Sequence, residues 1–292
     1  MRLKYPRSNN KLPARLPFGR GRSNSRRGRG RFKLWPILAF AAFAAFYYFS
    51  NLETVPITGR KQFVNLSLEQ EAALGLNSYK QILDQSNVIP TGSQANQIKV
   101  IGNKLASVID QKDFEWEFNL IDSEQVNAFC LPGGKVAVYT GILPVAKNID
   151  GLAVIMGHEI AHAVARHGAE RMASQQLQKW GSMALGMSVG EMDPGVQRGV
   201  MTAFGMGSKF GLVLPFSRKH ESEADRMGLH YVARACFNPE EAPLLWQRMA
   251  EAQNSNVSEF MSTHPNPETR IQQFKEWMPE ALRIRAENCP NS

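Results

Sequence analysis

Cysteine is scarce in this sequence, which has only Cys130, Cys236 and Cys289 among its 292 residues. Three cysteines do not make the disulfide framework of a small secreted domain, and the chain is long enough to bury one sizeable core without cross-links. A free, buried state is therefore expected for Cys236 and Cys289, with pairing in an oxidising compartment as the alternative. Cys130 lies in an apolar stretch, which favours packing over chemistry.

Acidic residues are absent from positions 1–33, which contain 12 lysines and arginines. The whole chain has 34 basic and 26 acidic residues, so 22 basic residues remain outside the tail and the rest of the chain carries a net charge of −4. The overall charge of +8 thus belongs to the tail. A basic run can bind nucleic acid, but this one directly precedes an apolar segment, which favours a membrane signal and no nucleic-acid partner.

Charged residues are also missing from positions 34–52, a run rich in Phe, Ala, Leu and Ile. A run of this length is about long enough to cross a bilayer. Basic residues before it and acidic residues after it place the N-terminus in the cytoplasm and the body across the membrane. The sequence predicts a basic cytoplasmic tail (1–33), a transmembrane signal anchor (34–52) and a folded domain (53–292). A cleaved signal peptide and a mitochondrial targeting segment are the alternatives.

Helical periodicity dominates the folded domain, and two short segments, 114–120 and 135–143, have patterns typical of strands. The expected fold is α+β, mostly helical with a small antiparallel sheet. Residues 51–63 are interpreted as an extended linker, and 181–215 as helical packing segments or a cover. Helices are predicted over 67–84 with Ser67 as N-cap, 94–110, 150–178, 218–235, 239–252 and 265–287, the last with a break at its proline.

The sequence HEIAH, positions 158–162, is the strongest chemical signal. On a helix, His158 and His162 lie about 40° apart around the axis and about 6 Å apart along it, so both imidazoles can bind one metal ion. Glu159 lies beside that face, where a general base for an activated water belongs. The apolar LAVIM before the motif indicates a buried site, in which imidazoles without a partner would be costly.

A third ligand is expected from RKHESEADRMG, positions 218–228. Glu221 and Asp225 are four residues apart and share a helix face, whereas Glu223 points about 200° away and is interpreted as solvated. One carboxylate can bind the metal while the other orients a ligating histidine, so Glu221 is predicted to be the ligand and Asp225 its helper. The sequence thus predicts one zinc ion per chain with three protein ligands: His158, His162 and Glu221.

Three stretches resemble a known family: HEIAHAVARH (158–167), ESEAD (221–225) and NAF-x-x-PGG (127–134). The family is that of the membrane-associated zinc metallopeptidases, which include HtpX, the CAAX prenyl proteases and the mitochondrial inner-membrane stress peptidase. The resemblance covers most of 51–275, and VPITGR is similar to the start of the single-anchor, stress-linked subgroup. It implies a gluzincin-type domain with the same three zinc ligands and with Glu159 as base. The multiple membrane helices of HtpX and the prenyl proteases are absent, so a prenylated substrate is not expected.

Other polar residues carry weaker predictions. His264, in STHPNPETRI, resembles a histidine that approaches the metal as a gate or additional ligand in some relatives, and a plain loop histidine is the alternative. Arg166 lies on the His162 face and could pair with a carboxylate, and His167 is expected to be structural. The remaining histidines are interpreted as ordinary helix residues: His220 and His230.

Together these features predict a membrane-anchored zinc endopeptidase that cleaves misfolded or stress-exposed envelope and membrane proteins. Segment 127–140 could supply an edge strand along which an extended peptide pairs. The expected location is the inner membrane of a cell with the catalytic domain in the periplasm, or alternatively the mitochondrial inner membrane. The rival is a membrane-tethered zinc-binding chaperone with little or no proteolysis, in which Glu159 would have no purpose. No pattern in the sequence specifies an oligomeric state.

Overall fold

The computed structural model describes residues 31–208, 214–251, 260, 264 and 267–290. Helices make up most of this structure. They are α1 (Trp35–Ser50), α2 (Leu68–Asp84), α3 (Ser93–Ser107), α4 (Leu143–Ala146), α5 (Ile149–Val164), α6 (His167–Val189), α7 (Pro194–Ser208), α8 (Leu214–Arg234), α9 (Glu241–Glu251) and α10 (Pro267–Asn288). The strands are β1 (Leu52–Thr54), β2 (Lys61–Phe63), β3 (Val88–Ile89), β4 (Glu117–Ile121), β5 (Ala128–Leu131) and β6 (Lys135–Tyr139).

The strands form two sheets, and the mostly helical α+β prediction is confirmed. Segment 51–63, predicted to be an extended linker, instead folds as the antiparallel β1–β2 hairpin. The larger sheet has the order β3-β4-β6-β5, in which β4 and β6 are parallel and the other two pairings antiparallel. Strand β5 is therefore an edge strand, and it contacts α5, the helix that carries HEIAH.

Most predicted helices are present with small shifts at their ends. Ser67 caps α2 through a reciprocal pair of hydrogen bonds with Gln70, as its position before an amphipathic run suggests. Helix α10 continues through Pro279, where the sequence predicts a break. Proline removes one backbone hydrogen bond, and the packing of α10 against α8 and α9 compensates for that loss.

The single helix predicted over 150–178 is two helices, α5 and α6, separated at Arg166. Arg166 has a left-handed backbone conformation (φ 56°), which is uncommon for a residue other than glycine. Its guanidinium donates hydrogen bonds to the Glu71 carboxylate and the Leu66 carbonyl, and these contacts hold the turn. The prediction of one helix is wrong because helical periodicity does not reveal a kink that distant side chains impose. His167 consequently begins a new helix.

Helix α1 lies within the segment predicted to be the anchor, 34–52. Among the described residues, no helix has both the length and the apolar character needed to cross a membrane. Helix α1 packs against α6, where the rings of Phe43 and Tyr47 lie 5.5 and 5.6 Å from the ring of Trp180. Most of the predicted basic tail, residues 1–30, lies outside the described residues.

The prediction that Cys236 and Cys289 are free is wrong, because the two form a disulfide. Their Cα atoms are 5.7 Å apart, since the chain that leaves α8 meets the end of α10. Sequence spacing gives no sign of this approach across 53 residues. Cys130 is free and partly buried, and burial raises the pKa of its thiol well above the ordinary value, as suits a packing residue.

Helices α5 and α8 cross with their backbones in contact at Gly157 and Gly228. A Cβ atom on Gly228 would lie 2.9 Å from the amide nitrogen of His158 and 3.0 Å from the carbonyl oxygen of Gly157. No real Cβ packs that tightly against backbone, so only glycine permits this approach. The crossing sets the HEIAH motif directly against the ESEAD segment.

Replacing Gly228 by Ala should lower the free energy of unfolding by about 1–3 kcal/mol, because the methyl group must push α8 away from α5. Urea denaturation followed by circular dichroism measures the change. The matched control is Gly199→Ala on α7, where an added Cβ meets nothing within 4 Å. That control should gain up to about 1 kcal/mol from helix propensity. Unchanged stability in Gly228→Ala would contradict the assigned contact.

Candidate metal centre

Four side chains converge where α5 crosses α8: His158 and His162 from α5, Glu221 from α8, and His264 from the chain between α9 and α10. The Nε2 atoms of the two α5 histidines are 3.1 Å apart. Carboxylate oxygens of Glu221 lie 3.4 Å from His158 Nε2 and 3.5 Å from His162 Nε2. The structure therefore brings together the three residues that the sequence predicts to be ligands, within reach of a single ion.

His264 adds a fourth possible donor to this group. Its Nδ1 lies 2.8 Å from Glu221 Oε2 and 3.1 Å from His158 Nε2. Its ring stacks on Phe260, with the ring centroids 4.5 Å apart. His264 thus lies within reach of the same ion as the three predicted ligands.

Glu159 is buried next to these donors. Its Oε1 lies 3.5 Å from His264 Nε2 and makes no hydrogen bond in the part of the chain that the structure describes. Burial raises the pKa of Glu159 above its ordinary value, although the charges of His264 and His158 act against this. A buried carboxylate oxygen without a donor is costly, so its position is suited to a bound group that supplies one.

Asp225, which the sequence predicts to orient a ligating histidine, contacts His158. Its Oδ1 lies 2.9 Å from Nδ1 of His158, the ring nitrogen that does not face His162. Such a carboxylate fixes the orientation and tautomer of a ligating histidine. Asp225 in turn accepts two hydrogen bonds from Arg270, at 2.6 and 2.5 Å.

Arg270, on α10, is a residue that sequence reasoning missed. It is 2% exposed, its Nη1 lies 3.2 Å from Glu221 Oε2, and its guanidinium lies 3.3 Å above the ring of Trp246. The one sequence signal for its burial is the spacing of four residues between Arg270 and Phe274, which places both on the same face of a helix. That signal was too weak to place it at the site.

The donor set carries an excess of negative charge. Three buried carboxylates, those of Glu159, Glu221 and Asp225, face one guanidinium. Burial and Arg270 lower the pKa of His158, but hydrogen bonds to Asp225 and Glu221 outweigh them and raise it to about 9. A divalent cation would take the place of this proton, because metal binding deprotonates its ligands. Two imidazoles and a carboxylate fit zinc.

Glu223 is not on a solvated face, as the sequence predicts, but buried. It accepts hydrogen bonds from Thr58, from Arg60 at 2.7 Å and from His167 at 3.0 Å. Burial raises the pKa of Glu223, but these hydrogen bonds outweigh it and lower the value to about 2. The prediction fails because the β1–β2 hairpin covers this face, and the α8 sequence alone does not show the hairpin.

His167 and His220 stack beside Glu223, with ring centroids 4.1 Å apart. His167 Nδ1 lies 2.8 Å from Nδ1 of His162, and burial lowers the pKa of His167 to about 4, so its ring is neutral at pH 7. His220, predicted to be an ordinary helix residue, is fully buried, with its Nε2 2.9 Å from Glu170. His230 lies elsewhere, 3.5 Å from Glu280.

Sequence comparisons relate this chain to known proteases. The profile of peptidase family M48 matches residues 92–278. The chain is 38% identical over 252 residues to the mitochondrial metalloendopeptidase OMA1 of Schizosaccharomyces pombe, covering 85% of this chain and 72% of the relative. It is 31% identical over 268 residues to the human metalloendopeptidase OMA1, mitochondrial, covering 86% and 51%. It is 28% identical over 230 residues to the beta-barrel assembly-enhancing protease of Escherichia coli, covering 76% and 46%.

Replacing Arg270 by Leu should lower the free energy of unfolding by about 3–5 kcal/mol, because Asp225 and Glu221 would remain buried without their cation. Urea denaturation in the presence of a chelator measures this loss. The control is Arg226→Leu, which removes an exposed ion pair with Glu280 and should change stability by less than about 1 kcal/mol. Equal losses in the two variants would show that Arg270 is not needed for charge balance.

Proposed function

This chain belongs to peptidase family M48 and is a metalloendopeptidase, and we propose that it uses one zinc ion to cleave misfolded or stress-exposed membrane and envelope proteins. The observation that carries the proposal is the convergence of the predicted ligands, His158, His162 and Glu221, beside the buried oxygen of Glu159. Two histidines and a carboxylate leave a tetrahedral ion one open position, which hydrolysis requires.

Each residue has a separate task in this proposal. Zinc, when bound to His158, His162 and Glu221, supplies Lewis-acid polarisation of the scissile carbonyl and lowers the pKa of water. Glu159 accepts the proton of the attacking water and then delivers it to the departing amine nitrogen. Its raised pKa suits this task, because a base with a pKa nearer the working pH also serves as the acid of the second step.

Strand β5 supports a substrate of extended backbone. It is the edge strand of the four-stranded sheet and contacts α5, which carries the proposed ligands. An extended peptide can add to such an edge through backbone hydrogen bonds, which depend little on its side chains. This mode of binding selects unfolded segments over folded domains, in agreement with a quality-control protease.

The position of His264 supports a resting state in which the site is closed. Its Nδ1 is within hydrogen-bonding distance of both Glu221 and His158. In this proposal the ring takes the coordination position that a substrate carbonyl would need. We propose that His264 is a gate that withdraws before cleavage. The stacking contact with Phe260 holds it in place at rest.

Membrane attachment is proposed through residues 34–52, in which α1 exposes large apolar side chains. Trp35, Leu38, Phe46 and Phe49 are each more than 60% exposed, and the basic tail precedes them. We propose that the tail lies on the cytoplasmic or matrix side and the catalytic domain on the other. The names of the fungal and human relatives place those proteins in mitochondria, which supports the mitochondrial alternative, whereas the Escherichia coli relative is bacterial and is compatible with the bacterial one.

The Glu159→Gln variant separates a peptidase from a zinc-binding chaperone. The amide keeps the shape of the side chain but cannot act as a base, so casein cleavage should fall by about 100- to 10,000-fold. Zinc content, measured by atomic absorption, should stay at one ion per chain. The control Glu280→Gln, on the partly exposed part of α10, should retain full activity. Full function of Glu159→Gln in cells would favour the chaperone.

The His264→Ala variant tests the gate. If the closed form makes up about 90% of the resting protein, removing the ring should raise the rate of casein cleavage about 10-fold, because the competent fraction rises from a tenth to one. The zinc affinity should change little, since His158, His162 and Glu221 remain. Loss of both zinc and activity would instead identify His264 as a required ligand.

A further inference from the structure

The turn between β1 and β2, residues 55–60, contacts α8 of the metal centre and the neighbouring helix α6. Its sequence is VPITGR, and its shape depends on left-handed backbone at Ile57 (φ 64°) and Gly59 (φ 69°). Backbone hydrogen bonds close it, from Gly59 to Val55 at 3.0 Å and from Val55 to Arg60 at 2.9 Å. This turn directs the side chains of Thr58 and Arg60 to Glu223 on α8.

Hydrogen bonds connect this turn to the proposed ligand His162. The Thr58 hydroxyl and the Arg60 Nε–H donate to Glu223. Glu223 Oε2 lies 3.0 Å from His167 Nε2, and His167 Nδ1 lies 2.8 Å from His162 Nδ1. His162 therefore reaches a buried carboxylate through one intervening imidazole, whereas His158 contacts Asp225 directly.

The hydrogen bonds from His162 through His167 to Glu223 have one consistent assignment of donors and acceptors. A neutral His162 that binds zinc through Nε2 carries its hydrogen on Nδ1, which it donates to Nδ1 of His167. His167 then carries its own hydrogen on Nε2 and donates it to Glu223. Each donor faces an acceptor, so these two hydrogen bonds fix both the tautomer and the ring orientation of His162.

Arg60 also donates hydrogen bonds to a second carboxylate, that of Glu170. Its Nη1 and Nη2 atoms lie 2.9 and 2.7 Å from the two carboxylate oxygens of Glu170. Glu170 contacts His220, whose ring stacks in parallel on that of His167 at an angle of 8°. The Arg60 guanidinium is therefore shared by Glu170 and Glu223, and the stacked ring holds the plane of His167.

We propose that Thr58, Arg60, Glu223 and His167 form a positioning group that orients His162 and thereby raises the zinc affinity of the site. The inference deepens the proposed function and rests on it. It assigns to the turn between β1 and β2 a role in metal binding, in addition to its role in the fold. The alternative is that these contacts only hold the β1–β2 hairpin against the helices. In that case they would affect the stability of the fold and leave the zinc affinity unchanged.

Two variants of His167 in the full-length protein distinguish these roles. His167→Phe keeps the aromatic ring but removes both hydrogen bonds, and should weaken zinc binding about 10- to 100-fold. His167→Gln keeps one acceptor and one donor, and should bind zinc within about 3-fold of the wild type if the hydrogen bonds are what matter. Dissociation constants are measured by competition with a chromophoric chelator. Thermal unfolding of the metal-free forms reports any purely structural loss.

A second pair of variants tests the contribution of the turn. Arg60→Met retains the length of the side chain but not its hydrogen bonds to Glu223 and Glu170, and should weaken zinc binding by a smaller factor, about 3- to 10-fold. The control is Lys61→Met, the adjacent residue of the same hairpin, whose Nζ bonds only to Thr54 among the described residues. That control should bind zinc as the wild type does.

The results separate this inference from the proposed function. Wild-type zinc affinity in His167→Phe would overturn the positioning group, and so would a Gln variant as weak as the Phe variant at equal metal-free stability. A wild-type protein that binds zinc with high affinity but leaves casein intact would count against the proposed function alone. A wild-type protein that binds no zinc would overturn both.

Discussion

Helices α5 and α8 touch at Gly157 and Gly228 so closely that a methyl group on Gly228 would lie 2.9 Å from backbone. This contact sets the distance between the two imidazoles of α5 and the carboxylate of Glu221 on α8. A separation larger by one side chain would leave the three donors too far apart for one ion. The chemistry of the site therefore depends on two positions that have no side chain at all.

Around this crossing, the two histidines of α5 are held by different groups. His158 contacts Asp225, which Arg270 neutralises from α10. His162 contacts His167, which leads to Glu223 and the β1–β2 hairpin. Each partner comes from a different part of the chain, so the folded protein determines the geometry of the donors as a whole. Charge balance follows the same division, with the buried Arg270 on the side of His158 and the half-buried Arg60 on the side of His162.

The kink at Arg166 explains how His162 and His167, which are five residues apart, come into contact. In a continuous helix His167 would lie about 140° around the axis from His162 and could not reach its Nδ1. The left-handed residue between α5 and α6 redirects the chain and brings the two rings together. Arg166 holds this conformation through Glu71 on α2, so an N-terminal helix takes part in shaping the site.

The sequence by itself determined the elements whose information is local. The spacing of His158 and His162, the glutamate between them and the shared face of Glu221 and Asp225 follow from helix geometry, and the α+β class follows from periodicity. Tertiary structure alone decided the Cys236–Cys289 pair, the kink at Arg166, and the burial of Glu223 and Arg270. Each of these depends on contacts between residues distant in sequence, and neither periodicity nor residue spacing carries such contacts.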